Sequence, residues 1–299
     1  MLTWWTSCSR PGRTGERVGR GATTRPYLLH AAVEGGNEQV ISSVMKAGAK
    51  EDMNTKTTSK ERTPLHLATR GGKVPVAKVL MLAGADVNIL DADGDGPLHL
   101  AIKVGLGDLT ENLLLRGADP NAKGYSGFFP IHFAARRGQD EVVRNLLHAG
   151  AEVNRLTDGG WTPLNHTVWS NHTSTVKVLL GAAADTNIPC NGRRPLHIAV
   201  RKNNTDILAA LVEAGADIEA RGRHEQTPLH ESAFFGSYAA MLALLQRGAD
   251  AHAKKDTTKS TPLHLACQQG KVDAADLLLR WGADETTLDK NGRTPIARI

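Results

Sequence analysis

The chain has 299 residues, of which 40% are hydrophobic and 22% charged. This balance predicts a soluble globular protein and excludes a collagen-like fibre, a wholly disordered chain and a membrane protein. The formal net charge of +5 favours an acidic partner, and the 30 glycines and 12 histidines indicate a motif that uses both residues repeatedly.

The first 26 residues differ in composition from the rest of the chain. They contain five arginines, one acidic residue and four glycines, and they show no apolar periodicity. We therefore predict a disordered, arginine-rich tail over residues 1–26. An organelle targeting peptide is the alternative, but the glycines interrupt the amphipathic helix that such a peptide needs. The tail supplies +4 of the net charge, so the remainder of the chain is nearly neutral.

A motif related to Thr-Pro-Leu-His returns along the rest of the chain. Its copies begin at Thr63, Gly96, Phe129, Thr162, Arg194, Thr227, Thr261 and Thr294, at intervals of 32 to 34 residues. A divergent copy at Tyr27 precedes them. A period of this length is typical of stacked structural units. We predict eight complete units and a ninth that stops at Ile299, inside its first helix.

The residue pattern of one unit predicts its structure. In the unit that starts at Thr63, the threonine hydroxyl caps a helix, and the proline that follows occupies the first helical position. Gly72 ends this first helix and Gly84 ends a second one, because glycine adopts the left-handed conformation that helix ends need. The turn pair Asp93-Gly94 then predicts a short β-hairpin, or finger, that leads to the next unit.

This unit of two helices and a hairpin resembles the ankyrin repeat. Gly-Ala-Asp or a close variant also recurs 21 residues after the first motif position, and the similarity extends from Tyr27 to Ile299. The resemblance implies an all-α repeat domain over residues 27–299. Its helix-turn-helix units and β-hairpin loops would stack as an α-solenoid, a curved right-handed superhelix with the first helices and the fingers on its concave side.

Histidine occupies the fourth motif position in seven units. These residues are His30, His66, His99, His132, His197, His230 and His264. Stacked units lie about 10 Å apart, whereas metal ligands lie about 2 Å from one ion, so a shared metal site is excluded. The resemblance favours hydrogen bonds between the helix cap and a neighbouring loop. Since the chain also lacks a phosphate-binding loop, a nucleophile elbow and a kinase signature, we predict a protein that is not an enzyme, with no metal and no cofactor.

In ankyrin repeat proteins, partner contacts usually come from the end of the first helix and from the residues just before the motif. Carried onto this sequence, the partner-binding candidates are Arg70, Lys103, Phe128, Arg136, Arg137, Trp161, Trp169, Arg193, Arg201, Lys202, Phe234 and Phe235. Arginine and aromatic residues are the usual energetic anchors of protein interfaces. They predict a groove for a protein segment with acidic and apolar residues. The other interpretation is that the rings pack between units and the arginines form a solvated face.

The sequence leaves more than one function open. The favoured one is a protein-binding scaffold or adaptor that acts as a monomer through its concave face. A nucleic-acid-binding protein is the alternative, because interleaved rings and arginines also stack bases and hold phosphates. A third is the ankyrin arm of a longer signalling protein or enzyme.

The cysteines and the hydropathy bear on the compartment. The three cysteines have neither disulfide-framework nor metal-site spacing, and no apolar run is long enough to span a membrane. We therefore predict a location in the cytoplasm, with the nucleus as the alternative.

The fifth unit departs most from the pattern. It has Asn165 in place of the motif histidine, Asn171 in place of the first glycine and Ala183 in place of the second. An alanine in a left-handed conformation costs on the order of 1 kcal/mol. We predict that residues 162–193 form the weakest layer of the stack, with the fastest hydrogen exchange.

Overall fold

A computed structural model describes residues 27–298, and the predicted tail over residues 1–26 lies outside this range, as does Ile299. Sixteen α-helices run through the described residues. The first helices of the eight units are α1 (Leu28–Gly35), α3 (Pro64–Arg70), α5 (Pro97–Val104), α7 (Pro130–Arg137), α9 (Pro163–Ser170), α11 (Pro195–Arg201), α13 (Pro228–Phe235) and α15 (Pro262–Gln268). The second helices are α2 (Glu38–Lys46), α4 (Val74–Leu82), α6 (Gly107–Leu115), α8 (Asp140–His148), α10 (Thr173–Gly181), α12 (Thr205–Glu213), α14 (Tyr238–Gln246) and α16 (Val272–Arg280). Short 3-10 turns occupy Ala49–Asp52, Tyr125–Gly127, Arg223–Glu225 and Ile296–Arg298.

The sixteen helices stack as a helical repeat solenoid, as predicted. In each unit the first helix packs on the second, and each helix packs on its counterpart in the next unit, as α7 does on α9 and α8 on α10. One apolar core runs through all eight units, from Leu29 to Ala283. Burial against the neighbouring units supplies the stability that one helix pair lacks alone. We call the side of the stack formed by the first helices and the fingers the inner surface.

Where a unit has both the motif threonine and the motif histidine, the two residues cap the start of the first helix, as at α3, α13 and α15. Thr63 Oγ1 lies 2.7 Å from His66 Nδ1 and accepts a hydrogen bond from the His66 amide at 3.4 Å. Nε2 of His66 reaches the carbonyl oxygen of Asp95 in the finger, 3.2 Å away. All seven motif histidines make the corresponding Nε2 contact with a finger carbonyl. Their predicted structural role is confirmed.

The fingers turn back as predicted, but residues 27–298 contain no β-strand. In the second unit, the Asp91 amide donates to the Asp95 carbonyl at 3.0 Å. The Asp91 carboxylate accepts the amide hydrogens of Asp93 and Asp95, at 2.9 and 3.0 Å. Since this side chain occupies donors that a paired strand would use, the expected β-hairpin is reduced to a hairpin-like turn. The one β-bridge of the described residues joins Cys190 and Arg193.

The fifth unit keeps the backbone of its neighbours with different residues. Asn171 ends α9 with a φ of 66°, and Ala183 follows α10 with a φ of 59°. Asn165 takes the place of the motif histidine and donates from Nδ2 to the Ile188 carbonyl at 3.3 Å. The left-handed alanine that the sequence predicts is therefore present.

Candidate partner-binding surface

A row of rings crosses the inner surface of the fourth and fifth units. Phe128, at the end of the third finger, lies 5.0 Å from Phe133 on α7 and 5.0 Å from His166 on α9, measured between ring centroids. His166 in turn lies 4.9 Å from Trp161, in the fourth finger. Since the contacts join fingers to first helices, the spacing of the units sets the spacing of the rings.

Two cations extend the row into the sixth and seventh units. Trp161 meets Trp169 edge to face, with ring centroids 5.9 Å apart. At the end of α11 and just beyond it, Arg201 and Lys202 lie over the Trp169 ring at 5.7 and 4.5 Å. Arg201 also lies 4.9 Å from the centre of the Phe235 ring on α13. Each such cation–π contact contributes about 0.5–1 kcal/mol at exposed sites, so both cations are held against the rings.

We call this set the aromatic row: Phe133, Phe128, His166, Trp161, Trp169 and Phe235, with the cations Arg201 and Lys202. Its rings are buried or half-buried except that of Trp169, which is 41% exposed. Phe234 adds a ring 5.1 Å from that of Phe235. An exposed tryptophan among exposed cations has the composition of an interface hot spot.

His166 is the least expected member of the aromatic row. Its ring is buried between Phe128 and Trp161, and its Nε2 has no hydrogen-bond partner among the described residues. Burial, reinforced by repulsion from His132 when that ring is protonated and from Arg136, lowers the pKa of His166 to about 3. The imidazole is therefore neutral at pH 7 and packs as an aromatic ring.

Two of the predicted cations are engaged within the protein. Arg193 Nε donates to Glu231 Oε1 on α13 at 2.7 Å, and the Arg193 side chain is 22% exposed. Glu231 is 1% exposed, so Arg193 compensates a buried carboxylate of the seventh unit. Lys103 on α5 forms an ion pair with Asp95 and stands 4.3 Å from the centre of the Phe133 ring. Both cations thus hold neighbouring elements together.

Of the three remaining predicted arginines, Arg136 and Arg137 lie beside the aromatic row and Arg70 lies apart from it. Arg136 on α7 is half-buried, and burial together with the charge of Arg137 lowers its pKa. Arg137 is exposed at the end of the same helix. Arg70 is exposed at the end of α3, two units before the row begins.

Sequence reasoning missed Phe133, His166 and Glu231. All three occupy the same register, one residue after the motif histidine position, where other units carry apolar residues such as Leu67 and Leu100. The side chains at this register meet the neighbouring finger or first helix. An aromatic or charged residue there is therefore a signal of contact between units.

The repeat matches a known protein family. Profiles of ankyrin repeats, three copies long, match residues 28–124, 98–190, 131–222, 181–255 and 229–298. The chain belongs to the ankyrin repeat family. The resemblance stated from the motif is confirmed, and the matches extend over all eight ankyrin repeats that the structure describes.

Relatives share parts of this ankyrin array. Inversin of Canis lupus familiaris is 37% identical over 107 residues, which are 35% of this chain and 10% of inversin. Ankyrin repeat and SOCS box protein 11 of Danio rerio is 33% identical over 102 residues, 34% of each chain. The 2-5A-dependent ribonuclease of Mus musculus is 50% identical over 60 residues, 20% of this chain and 8% of that enzyme. The matched region thus spans no more than 34% of these relatives.

A solved ankyrin structure has the same fold. The ankyrin repeat domain of Bcl-3, a member of the IkappaB protein family, superposes with a TM-score of 0.65 at 28% identity, over 73% of this chain and 98% of that chain. Ankyrin repeats are generally protein–protein interaction modules and are typically non-catalytic. Within residues 27–298, none of the helices combines the length and the apolar character needed to cross a membrane.

Proposed function

We propose that this protein is a non-catalytic adaptor that holds a segment of a partner protein against the aromatic row. One observation carries the proposal: Trp169 is 41% exposed, with Arg201 and Lys202 over its ring. Tryptophan and arginine are the residues that most often dominate binding energy at interfaces. Since contacts between units already order the row, a partner would bind it with little further loss of entropy.

The aromatic row favours a partner segment with both acidic and apolar residues. Arg201 and Lys202 place two exposed positive charges beside Trp169, and the half-buried Phe235 adds apolar surface on the other side of Arg201. A partner carboxylate would pair with the cations, while an aliphatic or aromatic side chain covers the exposed tryptophan.

The packing of the rings supports a protein partner over a nucleic acid. Bases stack on open ring faces. In the row, however, His166 lies between Phe128 and Trp161 with tilts of 46° and 31° between the ring planes. These faces are already occupied, which leaves Trp169 as the exposed ring of the row.

We extend the proposal to a monomer in the cytoplasm. Cys190 and Cys267 are free thiols, as is usual in reducing compartments. Inversin and the 2-5A-dependent ribonuclease extend far beyond their matched repeats, which supports the same adaptor role for an ankyrin arm of a longer protein.

Selection from a displayed random peptide library tests the proposal on the full chain. The enriched peptides should combine acidic with aromatic or aliphatic residues. Trp169→Ala together with Arg201→Glu should weaken their binding about tenfold or more, because it removes two hot-spot side chains. Lys177→Glu, on the exposed face of α10, changes the net charge equally and should leave binding unchanged.

Two results would contradict this proposal. One is equal binding of the selected peptides to both variants. The other is tighter binding of a single-stranded oligonucleotide, with an affinity that falls steeply as salt is raised, which would indicate a nucleic-acid-binding protein.

A further inference from the structure

A cavity of about 590 Å³ opens on the inner surface beside the end of the aromatic row. The ring pair of Phe234 and Phe235 forms one wall, and residues of the fifth to eighth fingers form much of the rest. Five lining side chains are cationic: Arg193, Arg223, Lys255, Lys290 and Arg293. A volume of this size accommodates a charged group together with part of the chain that carries it.

Hydrogen bonds between the fingers hold the cavity open. The Lys290 amide donates to the Thr258 carbonyl at 2.9 Å, which joins the eighth finger to the seventh. Arg221 Nη1 donates to the Lys254 carbonyl at 2.9 Å, which joins the sixth finger to the seventh. Arg223 belongs to the 3-10 turn of the sixth finger. These contacts fix the positions of the fingers that carry the cations.

The cavity keeps an excess of positive charge when the internal ion pairs are counted. Arg193 and Arg293 have carboxylate partners, at 2.7 and 3.5 Å. No acidic side chain is among the lining residues, all of which belong to the described part of the chain. Arg223 and Lys290 are exposed, and within residues 27–298 neither forms an ion pair.

This excess favours an anion with more than one negative charge. A carboxylate carries one charge and two acceptor oxygens, whereas a phosphate monoester carries about −1.5 to −2 charges at pH 7 and three acceptor oxygens. Arginine offers paired N–H donors to phosphate oxygens, and lysine adds a compact charge. Since Phe234 and Phe235 cover one side of the cavity, the phosphate group would be attached to a chain that also contacts apolar surface.

We infer that the cavity binds a phosphorylated side chain of the partner segment that lies on the aromatic row. This role rests on the proposed function, because Phe235 belongs both to the row and to the cavity wall. A segment whose apolar residues cover Trp169 would extend past Phe235 and place its phosphate among the fingers. Phosphorylation of the partner would then strengthen the complex.

Matched peptide libraries test this site on the full chain. One library carries a central phosphoserine between acidic and aromatic positions, and the other carries serine in the same place. The phosphorylated library should bind about tenfold more tightly, the ratio that one charge-assisted hydrogen bond provides. Arg223→Glu together with Lys290→Glu should abolish this preference. Lys78→Glu together with Lys177→Glu makes the same charge change on exposed residues of α4 and α10 and should retain it.

Three outcomes would overturn the inference. The first is equal binding of the two libraries. The second is an unchanged preference for the phosphorylated library in the variant with Arg223→Glu and Lys290→Glu. The third is tighter binding of tripolyphosphate than of the phosphorylated library, which would indicate a small soluble ligand. Failure of the proposed function is distinguishable. Suppose that Trp169→Ala with Arg201→Glu leaves peptide binding unchanged, while Arg223→Glu with Lys290→Glu abolishes the preference for the phosphorylated library. The role of the aromatic row would then be contradicted and the phosphate site supported.

Discussion

The fifth and seventh ankyrin repeats share a backbone and differ in the contacts that stabilise it. In the seventh, His230 contacts Thr227 Oγ1 at 2.8 Å through Nδ1 and the Ser260 carbonyl at 3.0 Å through Nε2. In the fifth, Asn165 reaches the Ile188 carbonyl at 3.3 Å, and its Oδ1 is buried with no partner among residues 27–298. The seventh repeat therefore has the stronger link between its first helix and its finger.

The two repeats also differ where the second helix ends. Gly248 follows α14 with a φ of 85°, whereas Ala183 follows α10 with a φ of 59°. The fifth repeat nonetheless contributes His166 and Trp169 to the aromatic row. The layer that carries the candidate site thus lacks two features that stabilise its neighbours, and such departures from the stabilising pattern are common at functional sites.

Alanine at the fourth motif position should change the free energy of unfolding very differently in the two repeats. His230→Ala should lower the free energy of unfolding by about 3 kcal/mol, because it leaves buried groups of Thr227 and Ser260 without their partner. Asn165→Ala should lower it by about 1 kcal/mol, since one long hydrogen bond is lost. Urea unfolding followed by circular dichroism measures both. His230→Asn copies the fifth repeat and should lose an intermediate amount, whereas equal losses for the two alanine variants would refute the difference.

The helices and their caps could be predicted from the sequence because the interactions that form them are local. Thr63 caps α3 through the amide three residues further on, and Gly72 just after α3 has a φ of 68°. Repetition over many copies then reveals the stacking. The geometry of the fingers could not be predicted from Asp-Gly pairs, because the Asp91 side chain competes for the Asp95 amide.

For the candidate site, the sequence predicted residue types and not their contacts. Trp161, Trp169 and Arg201 were expected on one surface, and the structure brings them together. Arg193 was expected there as an open contact, but it pairs with Glu231, 38 positions along the chain. Contacts between units depend on how the solenoid places residues of successive copies, and no local pattern reports that placement.

Acid should act on both repeats through different histidines. Burial lowers the pKa of His230 to about 4 from 6.5, and burial with nearby positive charge lowers that of His166 to about 3. At pH 5 both rings are therefore neutral in the folded protein, whereas the same two histidines in the unfolded chain bind protons as the pH falls below 6.5. Their contribution to stability is therefore complete above pH 6.5 and is lost as the pH falls, toward 4 for His230 and toward 3 for His166, with a loss of about 2 kcal/mol per histidine at pH 5.

His166→Phe isolates the contribution of the fifth repeat. The variant keeps a ring between Phe128 and Trp161 and removes the titrating group, whose Nε2 has no partner among the described residues. Relative to the wild type, it should gain about 2 kcal/mol more stability at pH 5 than at pH 7. Urea unfolding at the two pH values measures this gain, and an equal effect at both would show that His166 does not titrate in this range.

The smallest expected effect concerns the ends of the second helices. Ala183→Gly should raise the free energy of unfolding by about 0.5–1 kcal/mol, because the left-handed strain that it removes outweighs the extra freedom that glycine gives the unfolded chain. Gly248→Ala is the reverse change in the seventh repeat and should lower it by about 1 kcal/mol. A Cβ at Gly248 would meet no atom within 4 Å, so this loss would come from the backbone conformation alone.

Hydrogen exchange shows whether these changes in stability occur within the fifth and the seventh repeat. The sequence predicts the fastest exchange in residues 162–193, and this segment should slow in Ala183→Gly, because local opening of a repeat depends on its own stability and on its contacts with its neighbours. Residues 227–260 should exchange faster in Gly248→Ala. Uniform protection along the wild-type stack would contradict the prediction. If residues 162–193 exchange fastest in the wild type and Ala183→Gly does not slow them, the low stability of this repeat is due to Asn165. The contact between its first helix and its finger would then be the one that opens.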